Sequence, residues 1–165
     1  MRDSCSIRKK GGRARRAGAI AHQDMSRASI IIVSPYPAAA NNGNWRTAER
    51  WARMLAGQYA VRIQTEWTGD AADLMIALHA RRSASSIARW AAGPERRPVG
   101  VVLTGTDLHR DIGSDISAQR SLTLATGLVV LHELGVEALP AAHRAKARVI
   151  LQSTTPRRVV PKTST

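Results

Sequence analysis

The sequence predicts an α/β fold, a three-layer Rossmann-like parallel sheet of about six strands, and three observations carry that expectation. From Ser29 onward, short β-branched runs alternate with Ala-rich segments of helical periodicity, the pattern of βαβ units. The first run, 29–34 (SIIIVS), is continuously apolar, as in strands buried on both faces. Polar clusters rich in Asn, Arg, Thr and Gly follow several of the runs, and in open parallel sheets ligands bind outside the carboxyl ends of the strands.

In chain order, the first strand closes on Pro35-Tyr36-Pro37. Residues 41–44 (NNGN) are turn chemistry, and Asn42 or Asn44 is placed to cap a helix running to about Ala56. Trp45, Ala48, Trp51, Ala52 and Leu55 repeat there at helical spacing as one apolar stripe, and Gly57 ends the helix. A second strand is expected over 61–66 and a third over 73–78 (DLMIAL), stopping at His79. A helix over 83–92 ends at Gly93-Pro94. The run 99–103 (VGVVL) is a fourth strand, leading into the polar turn Thr104-Gly105-Thr106-Asp107. A helix over 115–125, a fifth strand over 128–131, helical pieces near 133–139 and 141–146, and a sixth strand over 148–151 complete the alternation. Trp45 and Trp51 suit either the core or a stacking platform, whereas Trp67 and Trp90 have no assigned place.

With 165 residues, 44% hydrophobic and 22% charged, the chain is sized for one domain with a buried core. No run of about 18 uncharged apolar residues occurs, so no membrane-spanning helix is expected. The single Cys5 excludes an internal disulfide framework and a Cys-based zinc site, and it suits a reducing, cytoplasmic compartment. The formal charge of +13 is uneven. Residues 1–27 hold eight Lys/Arg against Asp3 and Asp24, a net +6, residues 154–165 add +3, and 28–153 carry only +4. The folded domain is therefore expected over 28–153, between a basic, disordered extension (1–27) and a linker or frayed tail (154–165). Met25 stands just before the first strand, and the basic block 8–13 is followed by no apolar run of the kind an export signal needs. Basic tails make nonspecific contacts with nucleic acid, and the alternative reading of the chain is a basic nucleic-acid-binding or regulatory α/β domain.

Three polar clusters are the candidate chemistry. The first, Asn41-Asn42-Gly43-Asn44, combines a small residue that admits close backbone approach with the N–H groups and positive dipole of a helix start. It is equally a plain capping turn. The second, His79-Ala80-Arg81-Arg82-Ser83, concentrates two guanidinium groups beside a helix start, a composition suited to phosphate or a similar oxyanion. If both arginines are helical their side chains diverge by about 100°, so one can meet a ligand and the other a carboxylate. His79 can act as donor, acid, base or structural group. The third runs from Thr104 through Gly105, Thr106 and Asp107 to Arg110 and Asp111. There the threonines offer hydroxyls, Asp107 can orient His79 or accept from a ligand hydroxyl, and Arg110 can simply pair with Asp111.

Absences narrow the classes. There is no G-x-x-x-x-G-K-[ST] loop, and no G-x-G-x-x-G follows the first strand, which disfavours P-loop nucleotidases and dinucleotide-dependent oxidoreductases. No D-x-D pair occurs, and the five histidines lack zinc-like spacing, so no metal is expected.

Taken together, the segments 41–55 (NNGNWRTAERWARML), 73–88 (DLMIALHARRSASSIA), 101–112 (VVLTGTDLHRDI) and 144–153 (RAKARVILQS) resemble one family, in the same order along the chain. It is the selenosugar synthases of selenoneine biosynthesis, within the GT-B glycosyltransferases of the family-4 type. The resemblance spans roughly 29–153. It implies a two-domain enzyme whose N-terminal Rossmann-like domain shapes the acceptor side, while a C-terminal domain binds most of the nucleotide sugar. The implied reaction joins selenophosphate to UDP-N-acetylglucosamine, forming a C–Se bond and releasing UDP and phosphate. UDP-N-acetylglucosamine is then a substrate, with no resident cofactor.

Carried onto this sequence, the resemblance falls on Asn42, Gly43 and Asn44, facing the donor phosphates or the acceptor. It falls also on His79, Arg81, Arg82, Thr104, Gly105, Thr106, Asp107 and Arg110, with Gln152 near an interdomain hinge. His79 and Asp107 are the catalytic candidates and the others bind substrate. Arg81, Arg82 and Arg110 together are expected to neutralise the acceptor oxyanion, leaving its soft selenium to attack the anomeric carbon. The sequence departs from the family outside that span. Residues 1–26 lie beyond the resemblance, and Thr165 stands where a GT-B enzyme would enter its second domain, so the expectation is a front half that does not turn over alone.

Overall fold

A computed structural model describes residues 27–152. Most of the basic extension, with Cys5 and Met25, and the expected tail over 154–165 lie outside the described residues.

β1 (Ser29–Val33) is the spine of the molecule. Ile31 and Val33 enter one apolar cluster and Ile30 and Ile32 the other, so successive residues bury opposite faces. Each such side chain contributes roughly 1.5–3 kcal/mol on full burial, and β1 thereby ties both layers to the sheet. A 3₁₀ turn at Ala38–Ala40 ends in Asn41, held in the left-handed region at φ 43°. α1 (Gly43–Leu55) follows. Of the two candidate caps it is Asn42 whose side-chain oxygen accepts from the Trp45 N–H, at 3.0 Å. Ala48 of the expected stripe is fully buried, and Trp51, Ala52 and Leu55 pack around it. Trp45 stays half-buried outside that cluster.

β2 (Ala60–Gln64) and β3 (Leu74–Leu78) flank β1, joined by a loop rather than a helix. α2 (Ala84–Ala91) leads to β4 (Val99–Leu103). A π-helical turn at Asp107–Asp111, which the sequence reading did not anticipate, precedes α3 (Ile116–Leu124) and β5 (Gly127–Val130). The helix expected near 133–139 is one 3₁₀ turn, Glu133–Gly135. Gly135 packs so closely on Val130 that an added Cβ would lie 2.7 Å from the valine Cβ. α4 (Ala141–Arg144) and β6 (Ala147–Val149) end the domain, with β6 starting one residue earlier than expected.

The six strands are all parallel, in the order β2-β1-β3-β4-β5-β6. From β1 the chain builds one way to β2 and the other way to β3, a topological switch point whose crevice lies beyond the strand carboxyl ends. α1 packs on β1 and β2, whereas α2 and α3 pack over β3 and β4 on the opposite face. Helices therefore flank both faces of the sheet, as the three-layer expectation requires. Beside α1, toward β4 and β5, an apolar groove of about 340 Å³ runs between Trp51, Met54, Ile76, Val102, Val129 and Ile150.

Candidate functional site

The start of α1 and the end of β4 stand on the two sides of the switch point, and a cleft of about 260 Å³ opens between them. Asn42, Gly43 and Asn44 line one wall, with Tyr36 from the turn after β1. Thr104 and Thr106 line the other, with Leu131 from the end of β5. Gln152 adds to the wall and donates from Nε2 to Thr47 Oγ1 at 2.8 Å, which ties the segment after the last strand to α1. Gly105 lies between the two threonines at φ +123°, a conformation that L side chains rarely adopt. Six expected substrate-binding residues thus share one cleft, and Gly105 shapes its rim.

Beneath the cleft lies a buried polar cluster. Asp107 has no solvent exposure. Its Oδ2 accepts from the Ala80 N–H at 2.9 Å, and its Oδ1 accepts from the N–H groups of Thr104 (2.9 Å) and Gly105 (3.0 Å). The carboxyl is a clamp that holds the turn after β3 against the loop after β4. Ser121 Oγ donates to Ala80 O at 2.7 Å and Ser83 Oγ to Leu78 O at 2.6 Å, completing the fixture. Held this way, His79 adopts φ +70°, in the left-handed region. Its side chain is 3% exposed, with Nε2 at 3.1 Å from Thr106 Oγ1 and at 3.9 Å from Asp111 Oδ2. Asp111 Oδ2 is buried without a hydrogen-bond partner. The π-helical turn produces this arrangement, since it sets Asp107 Oδ2 3.9 Å from Nδ1 and Asp111 Oδ2 3.9 Å from Nε2. Both catalytic candidates therefore sit under the cleft floor and reach it through Thr104, Gly105 and Thr106.

The arginines do not act as a pair. Arg81 turns toward α3, with Nε 2.8 Å from Asp115 Oδ2 and Nη1 3.7 Å from Asp111 Oδ1. Asp115 also caps α3 through the Ala118 N–H at 2.9 Å. Arg110, largely exposed, is engaged by Asp111 at 3.2 Å. Arg82 turns the other way and lies over the ring of Tyr36, 5.1 Å from its centroid, on the wall of the cleft. The expected three-arginine grip therefore divides. Arg82 packs on Tyr36, a residue of the cleft, while Arg81 and Arg110 meet carboxylates. Tyr36 and Thr47 are cleft residues the sequence reading passed over, although the position of Tyr36 directly after the first strand was a usable signal.

Neither a protein-family model nor a curated protein matches this chain. Among the described residues no group of three or more His, Cys, Asp or Glu is arranged to hold a metal ion. Nor is any helix among them long and apolar enough to cross a membrane.

The histidine gives the fold a pH dependence. Burial pushes the pKa of His79 below its usual 6.5, against the pull of the Asp107 and Asp111 carboxyls and with the help of the Arg82 charge. The folded state then binds fewer protons than the unfolded state at this site, so its contribution is complete above pH 6.5 and declines as pH falls below that value. His143, lowered by burial and by Lys146, acts in the same direction. Urea midpoints measured from about pH 7.5 down to about pH 5 are expected to fall, with a shallower slope in His79→Gln. Equal slopes in the two proteins would remove His79 as the source.

Proposed function

We propose that this domain is the acceptor-side lobe of a glycosyltransferase resembling the selenosugar synthases, binding a selenophosphate-like oxyanion and the phosphate end of UDP-N-acetylglucosamine. The observation that carries the reading is the cleft itself. The N-terminus of α1, two threonines and Gln152 converge at the switch point of a parallel sheet, with the Arg82 guanidinium stacked on its wall. A multiply charged oxygen ligand there meets hydrogen-bond donors and a helix dipole, with the Arg82 cation held beside it on the ring of Tyr36. Catalytic electrostatics of this kind rest on donors already oriented before the ligand arrives, and the Asp107 clamp supplies that order. His79 and Asp107 then serve the site from beneath it, and Arg81 and Arg110 support its walls.

Calorimetric titration with selenophosphate, inorganic phosphate and UDP-N-acetylglucosamine tests the reading. Arg82→Ala is expected to weaken oxyanion binding about tenfold, as for loss of one charge-assisted hydrogen bond, while Arg81→Ala stays within about threefold. Absence of binding by the unmodified protein, or equal weakening in both variants, would count against it. Salt-sensitive DNA retention that persists after deletion of residues 1–27 would favour the nucleic-acid alternative instead.

A further inference from the structure

His79 offers one ring nitrogen to a donor that cannot reverse. The Arg82 backbone N–H, 3.4 Å from Nδ1, points at the ring and always carries its hydrogen. Asp107 Oδ2, 3.9 Å from Nδ1, is too distant to accept a hydrogen bond from it, so Nδ1 presents its lone pair to the Arg82 N–H and a neutral imidazole carries its single proton on Nε2. A doubly protonated ring would set two N–H groups against each other at Nδ1, and burial opposes that charge as well.

The consequence falls on Thr106. Nε2–H then donates to Thr106 Oγ1 across 3.1 Å, which fills one of the hydroxyl's two lone pairs. Among the described residues His79 is the only hydrogen-bond partner of that oxygen. Its own hydrogen is left for whatever enters the cleft that Thr106 lines. Asp111 Oδ2, 3.9 Å from Nε2, is beyond hydrogen-bond distance and leaves Thr106 Oγ1 as the acceptor within reach.

We propose that His79 is a positioning residue whose ring, protonated on Nε2, holds the Thr106 hydroxyl as a hydrogen-bond donor toward a phosphoryl or selenophosphoryl oxygen in the cleft. This rests on the reading of that cleft as an oxyanion site and adds the direction of one hydrogen bond. The selectivity follows from that direction. A ligand oxygen that accepts is favoured at Thr106, because the hydroxyl's one hydrogen is free for it while a lone pair is held by His79.

Two measurements decide the matter. Long-range ¹H–¹⁵N spectra of the uniformly labelled protein at neutral pH report the tautomer without any substitution. They are expected to show His79 protonated at Nε2 and bare at Nδ1. Inorganic phosphate titrations followed by NMR then compare the unmodified protein with Thr106→Val, Thr106→Ser and His79→Gln. Thr106→Val is expected to lose about tenfold in affinity, and Thr106→Ser to stay within about threefold. His79→Gln, whose amide N–H can stand in for Nε2–H, is also expected to stay within about threefold if its amide spectrum shows it folded. A proton on Nδ1, or phosphate affinity unchanged in Thr106→Val, overturns the assignment while leaving the oxyanion site intact. If the unmodified protein binds neither phosphate nor UDP-N-acetylglucosamine, both the site and the assignment fall.

Discussion

Asp107→Ala is expected to cost the domain about 3–5 kcal/mol in urea unfolding, with the denaturant slope unchanged. The carboxyl is fully buried and accepts three backbone N–H groups, from Ala80, Thr104 and Gly105. Each bond to a carboxylate contributes about 1.5–3 kcal/mol, and removing the acceptor also leaves donors that were desolvated for it. Alanine cannot fill the gap, so the loops after β3 and β4 lose their common anchor. Asp107→Asn provides the control. Its amide oxygen can serve the Thr104 and Gly105 donors, but its NH₂ then faces the Ala80 N–H, donor against donor. An intermediate loss is expected. The sequence reading placed Asp107 in catalysis, and the two roles separate cleanly. A residue acting on substrate would lose turnover and keep its stability, so a midpoint shift of less than about 1 kcal/mol would return Asp107 to the chemistry.

The strands were legible because their cause is local. Ser29–Val33 and Val99–Leu103 are apolar on both faces, and only a buried parallel strand needs that composition. α1 was legible for the same reason, since its cap and its stripe lie within one segment. What escaped the sequence depends on partners far along the chain. The π-helical turn at Asp107–Asp111 reads as a polar loop until Ala80 supplies its bond from 27 residues away. Arg81 and Arg82 are adjacent and chemically identical. One faces Asp115 and the other Tyr36, so the expected divergence was sound while the joint grip was not. The short 3₁₀ turn at Glu133–Gly135 follows from close packing of Gly135 on Val130, which no helical periodicity announces. The groove beside α1 is likewise invisible, because Ile76, Val102 and Val129 carry the same residue types whether or not a helix lies over them.

Trp90→Ala is the second large effect, about 3–5 kcal/mol, and it belongs to the opposite edge of the sheet. Trp90 is fully buried near the end of α2, edge-to-face with Trp67 at 5.2 Å between ring centroids. Its Nε1–H is shared between Arg97 O and Pro98 O, each at 3.2 Å, which fixes the approach to β4. The guanidinium of Arg97 lies 4.0 Å from the Trp90 ring centroid and 5.7 Å from that of Trp67. Truncation thus opens a cavity and removes the nearer aromatic face from a cation whose Nε is already buried without a hydrogen-bond partner. Trp90→Phe keeps a ring for Trp67 and Arg97 but gives up the shared N–H and part of the ring volume, so a smaller loss of about 1–3 kcal/mol is expected. α2 starts beside His79 and ends beside the first residues of β4, placing Trp90 at the amino ends of the strands, away from the cleft. The Phe variant should therefore unfold at lower urea yet bind inorganic phosphate with the affinity of the unmodified protein. Loss of phosphate binding in a folded Trp90→Phe protein would mean that the two edges are energetically coupled through α2, and that the cleft is not held by the Asp107 clamp alone.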